Sequence, residues 1–368
     1  MPGPLLLRAD ASFGIGTGHV MRLIALVEAW QEITGTDASG KTEDIGSALL
    51  LGRISIPQLR QRLVEAGIGL WDLLVSHPDP GDLVALTNLA EVLQPAWIVL
   101  DGYHFDSAYQ AATRALGIPV LILDDMAHHG QYHADLLLNQ NINADGLHYS
   151  VGADTRLLLG SRYCMLRAEL RATRNAIVEN VKYFPKEGKK EEKLASRPWR
   201  LLVTMGGADH RGLSFLALQA LAELGAAWEA KVVMGSAAYQ SHQLCQLAAE
   251  LPKVEIHTDV RDMGPLMVWA DMALSAAGST TWELACLGVP ALLVVVADNQ
   301  SVVARTAASI GCAIDLGEWK NLTASGLAHA LAQLAANEQQ RTAMSIAGRA
   351  LVDGEGATRV ARIMLELI

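Results

Sequence analysis

The stretch Leu5-Leu6-Leu7-Arg8-Ala9-Asp10-Ala11-Ser12-Phe13-Gly14-Ile15-Gly16-Thr17-Gly18-His19-Val20-Met21-Arg22 decides how the chain is read. Leu5–Arg8 is a short β-like run. After the glycines, Val20, Leu23, Ile24 and Val27 fall at i, i+3, i+4 and i+7, the spacing of one buried helix face. A strand, a glycine-rich turn and a helix in direct succession open a βαβ unit of a parallel sheet. Gly14, Gly16 and Gly18 let the backbone turn tightly and approach a ligand closely.

The same alternation continues outward. Ala48–Leu51, Trp97–Asp101 and Val120–Asp124 read as further strands, with helical spacing over Val20–Trp30 and Ser107–Leu116. The apolar period stops between Asn180 and Trp199, where Lys186 to Lys193 is a mixed charge run with no buried face. It restarts with strands at Leu201–Thr204, Ala230–Met234, Val254–His257, Met272–Leu274 and Pro290–Val296. The expected organisation is an N-terminal α/β domain over residues 1–180, a charged linker over 181–199 and a C-terminal α/β domain over 200–368. In the last segment Val360, Ile363, Met364 and Leu367 have helical spacing, so it can pack back across the first domain.

Composition agrees with two packed domains. A chain of 368 residues exceeds the size at which one core stops growing. Hydrophobic residues make up 51% and charged ones 18%, which suits buried parallel strands under helices. No apolar run is long enough for a spanning helix, and Met1-Pro2-Gly3-Pro4 lacks a signal peptide's basic region, so membrane insertion is not expected and the cytoplasm is the default compartment. Cys164, Cys245, Cys286 and Cys312 show no C-x-x-C spacing and read as reduced thiols. A net charge of −10 argues against nucleic acid, because that binding rests on clustered Lys and Arg. An anionic ligand would have to be held by helix N-termini and glycine-rich backbone. Composition does not fix the oligomeric state.

Two motif readings fail on context. G-x-G-x-G-H is not the dinucleotide fingerprint, so NAD is disfavoured. Gly35-Thr36-Asp37-Ala38-Ser39-Gly40-Lys41-Thr42 fits the phosphate-loop pattern, but a helix precedes it and a strand follows, the reverse of a working P-loop. His19, by contrast, lies in the first turn of a helix that leaves the carboxyl end of a strand, where ligands bind in open α/β sheets. The helix dipole disfavours imidazolium there, leaving a neutral base.

Thr204-Met205-Gly206-Gly207-Ala208-Asp209 repeats this layout, as does Ala277-Gly278-Ser279-Thr280-Thr281-Trp282-Glu283. The second offers backbone N–H groups and hydroxyls to a diphosphate. Glu283 can accept the hydroxyls of a ribose, or it can bond back to the helix start as the acid of a capping box; both readings stay open. Asp101-Gly102-Tyr103-His104 and Asp124-Asp125 each end a strand on the side of His19. His128, His129 and His133 raise a metal site through H-x-x-x-H, but Gly130 and the missing apolar period favour a loop, and neither metal nor cofactor is expected.

Together these motifs resemble the UDP-2,4-diacetamido-2,4,6-trideoxy-β-L-altropyranose hydrolases of pseudaminic acid biosynthesis. The resemblance rests on Arg8-Ala9-Asp10 through His19-Val20-Met21-Arg22, Asp101 to His104, Leu158-Leu159-Gly160 with Tyr163 to Arg167, Gly206 to Asp209, and Gly278 to Glu283 with Asp298-Asn299-Gln300. It implies two Rossmann-like domains facing a cleft, a glycosyltransferase GT-B-like fold. It implies a UDP-sugar substrate, His19 as the catalytic base, Tyr103 and Asn299 at the sugar, and Gly278, Ser279, Thr280 and Glu283 at UDP. Asp10, Gly16, Gly18, Arg22, Gly206, Gly207 and Gln300 complete the expected substrate-binding set. The insertions at 35–46 and 181–199 look longer than the family pattern. The expected reaction is inverting, metal-independent attack of water on the anomeric carbon. The alternatives are a GT-B glycosyltransferase that gives the sugar to another acceptor and a sugar-nucleotide-binding subunit without catalysis.

Overall fold

A computed structural model describes all residues except 1, 13, 36–46, 182–196, 207, 208, 210, 236–241, 252 and 259. Two compact units result: residues 1–168 with 355–368, and residues 169–354.

The first unit holds a parallel seven-stranded sheet. Its strands are β1 (Leu5–Ala9), β2 (Ala48–Gly52), β3 (Ile68–Asp72), β4 (Trp97–Asp101), β5 (Val120–Leu123), β6 (Leu136–Asn139) and β7 (Arg156–Leu159), in the order β3-β2-β1-β4-β5-β6-β7. β1, β2, β4, β5 and β6 are buried along their whole length. This is why they read as continuous apolar runs rather than alternating ones. Helices α1 (Gly18–Thr34), α2 (Pro57–Glu65), α3 (Pro80–Leu93) and α4 (Ser107–Arg114) fill the crossovers. The strand order reverses between β1 and β4, whose register pairs Ala9 with Asp101. That reversal is the switch point at which open α/β sheets bind ligands.

In the second unit β8 (Trp199–Thr204), β9 (Trp228–Met234), β10 (Val254–Thr258), β11 (Met272–Ala276), β12 (Ala291–Val295) and β13 (Ala313–Glu318) form a second parallel sheet, ordered β10-β9-β8-β11-β12-β13. Its helices are α5 (Ala168–Val181), α6 (Leu213–Leu224), α7 (His242–Glu250), α8 (Gly264–Trp269), α9 (Thr280–Leu287), α10 (Gln300–Ile310), α11 (Ala324–Ala336) and α12 (Glu338–Leu351). The chain then returns to the first unit as α13 (Gly356–Glu366).

Three details depart from the sequence reading. First, α5 leaves the first unit, although the charge run was taken as the boundary. Leu170 is buried in the core of the second unit, and the Arg174 guanidinium donates to the carbonyls of Cys286, Arg349 and Val352. Residues 182–196 themselves lie outside the described set. Second, α1 is buried beyond the expected face, at Arg22, Ala25, Leu26, Ala29 and Trp30 as well, because α13 covers its other side. Third, β3, β6, β7 and β13 escape a periodicity search. β6 and β7 have four residues each, and the edge strands β3 and β13 carry Gly69 and Gly317.

Gly35 closes α1 in a left-handed conformation, φ +68°, so the phosphate-loop pattern begins at a helix end, and its remaining residues lie outside the described set. α13 is seated by Val360, Ala361, Ile363 and Met364. Trp97, fully buried in β4, donates its indole N–H to the Met364 carbonyl at 3.1 Å. Leu367 stays half exposed. Gly356 is where the returning chain meets backbone: a Cβ there would lie 2.2 Å from the Cys164 carbonyl oxygen. Because backbone cannot rotate aside, Gly356→Ala is expected to lower stability by about 1–3 kcal/mol, read as a lower midpoint in urea with little change in far-UV circular dichroism.

Candidate active site

Each polar side chain of the first-unit site comes from the carboxyl end of a strand or the first turn of the helix that follows. β1 runs into Asp10, and the loop closes on itself where the Gly16 N–H donates to the Ser12 carbonyl at 2.8 Å. Gly16 has φ +86°, a conformation that favours glycine. α1 then starts at Gly18, placing His19 and Arg22 three residues apart on one face.

That face meets Asp101, the last residue of β4. His19 Nδ1 lies 2.6 Å from Asp101 Oδ1; Arg22 donates from Nε to Oδ2 and from a terminal nitrogen to Oδ1, each at 2.6 Å. Asp101 is fully buried. Burial alone would raise its pKa, but Arg22 and then His19 outweigh it and hold the carboxyl at about 2. A carboxylate can only accept, so Nδ1 of His19 donates to Asp101 and Nε2 is the ring atom that points away from it.

A further carboxylate lies behind this pair. Asp125, following β5, accepts from Arg22 at 2.9 and 3.0 Å, from the Tyr103 hydroxyl at 2.8 Å and from the Asn141 amide at 2.8 Å. The Tyr103 ring meets the His19 imidazole edge to face at 4.9 Å. Burial and the Asp125 charge push the Tyr103 phenol well above its ordinary range, so it stays protonated.

Two residues expected to touch the substrate also pair within the protein. Arg22, taken as a substrate contact, spends its bonds on Asp101 and Asp125 and positions them. Asp10, also taken as a substrate contact, accepts both terminal nitrogens of Arg8 at 2.8 and 3.1 Å and the Arg53 N–H at 2.8 Å. Arg8 is fully buried and also pairs with Asp82, which accepts the Tyr109 hydroxyl at 2.8 Å. These contacts form an internal brace beneath the loop. Sequence reasoning missed Asp101 as the partner of His19 and Asp125 as the link between Arg22 and Tyr103. The available signal was that each acidic residue ends an apolar strand.

In the second unit β8 leads to Gly206, φ +79°, and its sheet neighbour β11 leads to Gly278. Gly207 lies outside the described residues. Asp209 occupies the start of α6, accepting the N–H groups of Leu213 and Ser214 at 2.9 Å each, so those donors are already used. α9 differs. Its N-cap is Ser279, without a side-chain cap bond, which places Glu283 one residue beyond the capping-box position. Thr281 Oγ1 is buried there without a hydrogen-bond partner among the described residues. Gln300 accepts the Val296 N–H at 3.0 Å, and its amide nitrogen lies 3.8 Å from where a Gly278 Cβ would be. Asn299 is the exposed N-cap of α10. Gly278, Ser279, Thr280 and Gln300 are thus assembled at neighbouring strand ends.

Comparison with known proteins bears on this arrangement. Residues 200–358 match the glycosyltransferase family 28 C-terminal domain. The spore coat polysaccharide biosynthesis protein SpsG of Bacillus subtilis is 31% identical over 169 residues, 45% of this chain and 50% of that protein. The UDP-N-acetylglucosamine--N-acetylmuramyl-(pentapeptide) pyrophosphoryl-undecaprenol N-acetylglucosamine transferase of Alkalilimnicola ehrlichii is 33% identical over 179 residues, 47% of this chain and 50% of that one. The chain thus spans about half the length of the curated relatives it matches. The crystal structure of MurG from Acinetobacter baumannii superposes with a TM-score of 0.65 at 19% identity, covering 99% of both chains. The fold is therefore that of the GT-B glycosyltransferases, two parallel-sheet α/β domains.

The depressed pKa of Asp101 sets a dependence on acid. Its folded value lies below the ordinary carboxylate range, so its contribution is complete above about pH 5 and fades as pH falls toward 2. The stability gap between the wild type and Asp101→Asn is expected to narrow by roughly 2 kcal/mol between pH 5 and pH 2.5 in urea titrations. A gap that stays constant would show that Asp101 is not held ionised by its neighbours.

Proposed function

We propose that this chain processes a UDP-linked sugar, breaking the bond between the anomeric carbon and the diphosphate and passing the glycosyl group to an acceptor oxygen. The observation that carries the reading is the His19–Asp101 pair, in which Nδ1 is committed to the carboxylate and Nε2 is left as the base. A diphosphate departs without being protonated, unlike the alcohol of an ordinary glycoside. The reaction therefore asks the protein for one base and for donors to the leaving group.

In this reading the acceptor O–H gives its proton to His19 Nε2 while its oxygen attacks the anomeric carbon. The C–O bond to the diphosphate breaks with its electron pair on UDP, and the configuration inverts. Asp101 stabilises the imidazolium that forms. Gly206, Gly207, Ser279 and Thr280 supply donors to UDP; Gly278, whose own N–H donates to the Ala276 carbonyl at 2.8 Å, lets the diphosphate approach closely; Glu283 accepts from the ribose, and Tyr103, Asn299 and Gln300 contact the sugar. Support for UDP comes from the family 28 domain match and from the relative named as a UDP-N-acetylglucosamine transferase. These likenesses favour transfer to a hydroxyl acceptor over hydrolysis.

A second reading takes water as the acceptor and UDP-2,4-diacetamido-2,4,6-trideoxy-β-L-altropyranose as the substrate. It is supported by the hydrolase-like residues from Arg8 to Arg22, from Asp101 to His104 and from Gly278 to Glu283. The two readings share every step except the acceptor.

A panel of UDP-sugars, followed by UDP release and by NMR of the sugar product, tests both. Release that requires an added hydroxyl acceptor identifies the transferase; equal release without one identifies the hydrolase. Binding without turnover by the wild type would remove catalysis altogether. His19→Ala and Asp101→Asn are each expected to slow UDP release by about 10²–10⁴-fold. A loss of only a few-fold in His19→Ala would exclude His19 as the base. Glu283→Ala is expected to weaken UDP binding by about tenfold in calorimetry, since it removes a charged acceptor from the ribose.

A further inference from the structure

At the end of β5, one residue before Asp125, lies a polar cluster that the proposed chemistry does not use. Asp124, His128 and His129 each offer one ligand atom, all within 4.8 Å of one another. Asp124 is buried, His129 half buried and His128 exposed on one side. Asp124 Oδ1 is fixed by the N–H groups of Met126 at 2.9 Å and Ala127 at 2.6 Å, which aims Oδ2 at the histidines. To make this tight return, Ala127 takes a left-handed conformation, φ +52°.

His128 carries the argument. Its Nε2 lies 3.0 Å from the carbonyl oxygen of Tyr103, which can only accept, so Nε2 donates there and Nδ1 is the ring atom turned to the cluster. That atom is 3.3 Å from Asp124 Oδ2. Nδ1 and Oδ2 side by side form one edge of the three-atom cluster. For a tetrahedral zinc site with bonds of about 2.0–2.1 Å, that edge is roughly 3.3–3.4 Å. The bond from Nε2 to a backbone carbonyl is also the outer contact that metal-bound histidines make.

We propose that Asp124, His128 and His129 bind a divalent ion of the zinc class, with the fourth position left to water. The His129 ring lies against that of His128 with centroids 3.9 Å apart and planes tilted by 40°, and its ligand atom is within 4.8 Å of the other two. His133, the other member of the H-x-x-x-H pattern, is not part of the set; its backbone N–H donates to Gln110. Two nitrogens and one carboxylate suit zinc or cobalt rather than magnesium or calcium. The ion ties the Tyr103 backbone to the Asp124-Asp125 turn, and Asp125 in turn holds Arg22, Tyr103 and Asn141. Its role is to brace the wall beside His19. The inference does not depend on the identity of the substrate.

The test uses the whole chain, stripped with chelator and titrated with Zn²⁺ in a calorimeter and with Co²⁺ in a visible spectrometer. One Zn²⁺ per chain is expected, with the intense visible bands of four-coordinate Co²⁺. His128→Ala and His129→Ala should each weaken binding by at least about tenfold, while His133→Ala leaves it unchanged. Zn²⁺ should also raise the melting temperature of the wild type but not that of His128→Ala. Absence of saturable binding in the wild type overturns the proposal, as does a loss in His133→Ala equal to that in His128→Ala.

Discussion

A carboxylate removed from water must be neutralised where it stands, and Asp101 is such a group. It ends β4 directly beside the end of β1, so its partners have to come from the helix that β1 feeds. His19 and Arg22, three residues apart on α1, meet both of its oxygens. Much of the site follows from that one pairing. It selects the tautomer of His19, draws Arg22 away from solvent, and leaves Arg22 a terminal nitrogen with which it recruits Asp125. Asp125 then fixes Tyr103 and Asn141. Removing Arg22 would leave the buried charge of Asp101 without its cationic partner, which costs more than the contact itself contributes.

The second unit has the same strand order around its switch point but uses it differently. Its loops present glycine, serine and threonine rather than buried charge. The carboxylate of Asp209 caps the helix beside it. The start of α9 has no such cap. There the Thr281 and Trp282 N–H groups donate to the carbonyls of Gly278 and Ser279, and the helix dipole favours an anion beside the helix start. Related topologies thus present two kinds of strand end: ionised side chains paired within the protein in one unit, and small residues at helix starts in the other.

Much of the fold was legible in the residues. The buried strands were continuous apolar runs, and the loops that matter combined glycine with a helix start. His19 stood out because a histidine follows three alternating glycines at such a start. Arg22 and Asp10 were read from the same motif as ligand contacts, and the folded chain pairs both with other side chains of the protein. A motif shows that a charged side chain lies near a loop. Whether it faces the ligand or the protein depends on which distant carboxylates are within reach. Arg8 and Asp82, 74 positions apart, and Arg22 and Asp125, 103 apart, meet only in the folded chain. The histidines after β5 were read through the spacing of His129 and His133, whereas the cluster joins Asp124, His128 and His129.

The sequence by itself determined the parallel α/β class, the three glycine-loop regions and the place of His19 at a helix start, because these depend on local propensity and on periodicities of a few residues. Only the tertiary structure decided that α5 belongs with the second unit, that α13 returns to cover α1, and that Asp101 and Asp125 organise the site. Those outcomes rest on contacts between residues far apart in the chain, whose geometry is set by strand order and register rather than by any local pattern.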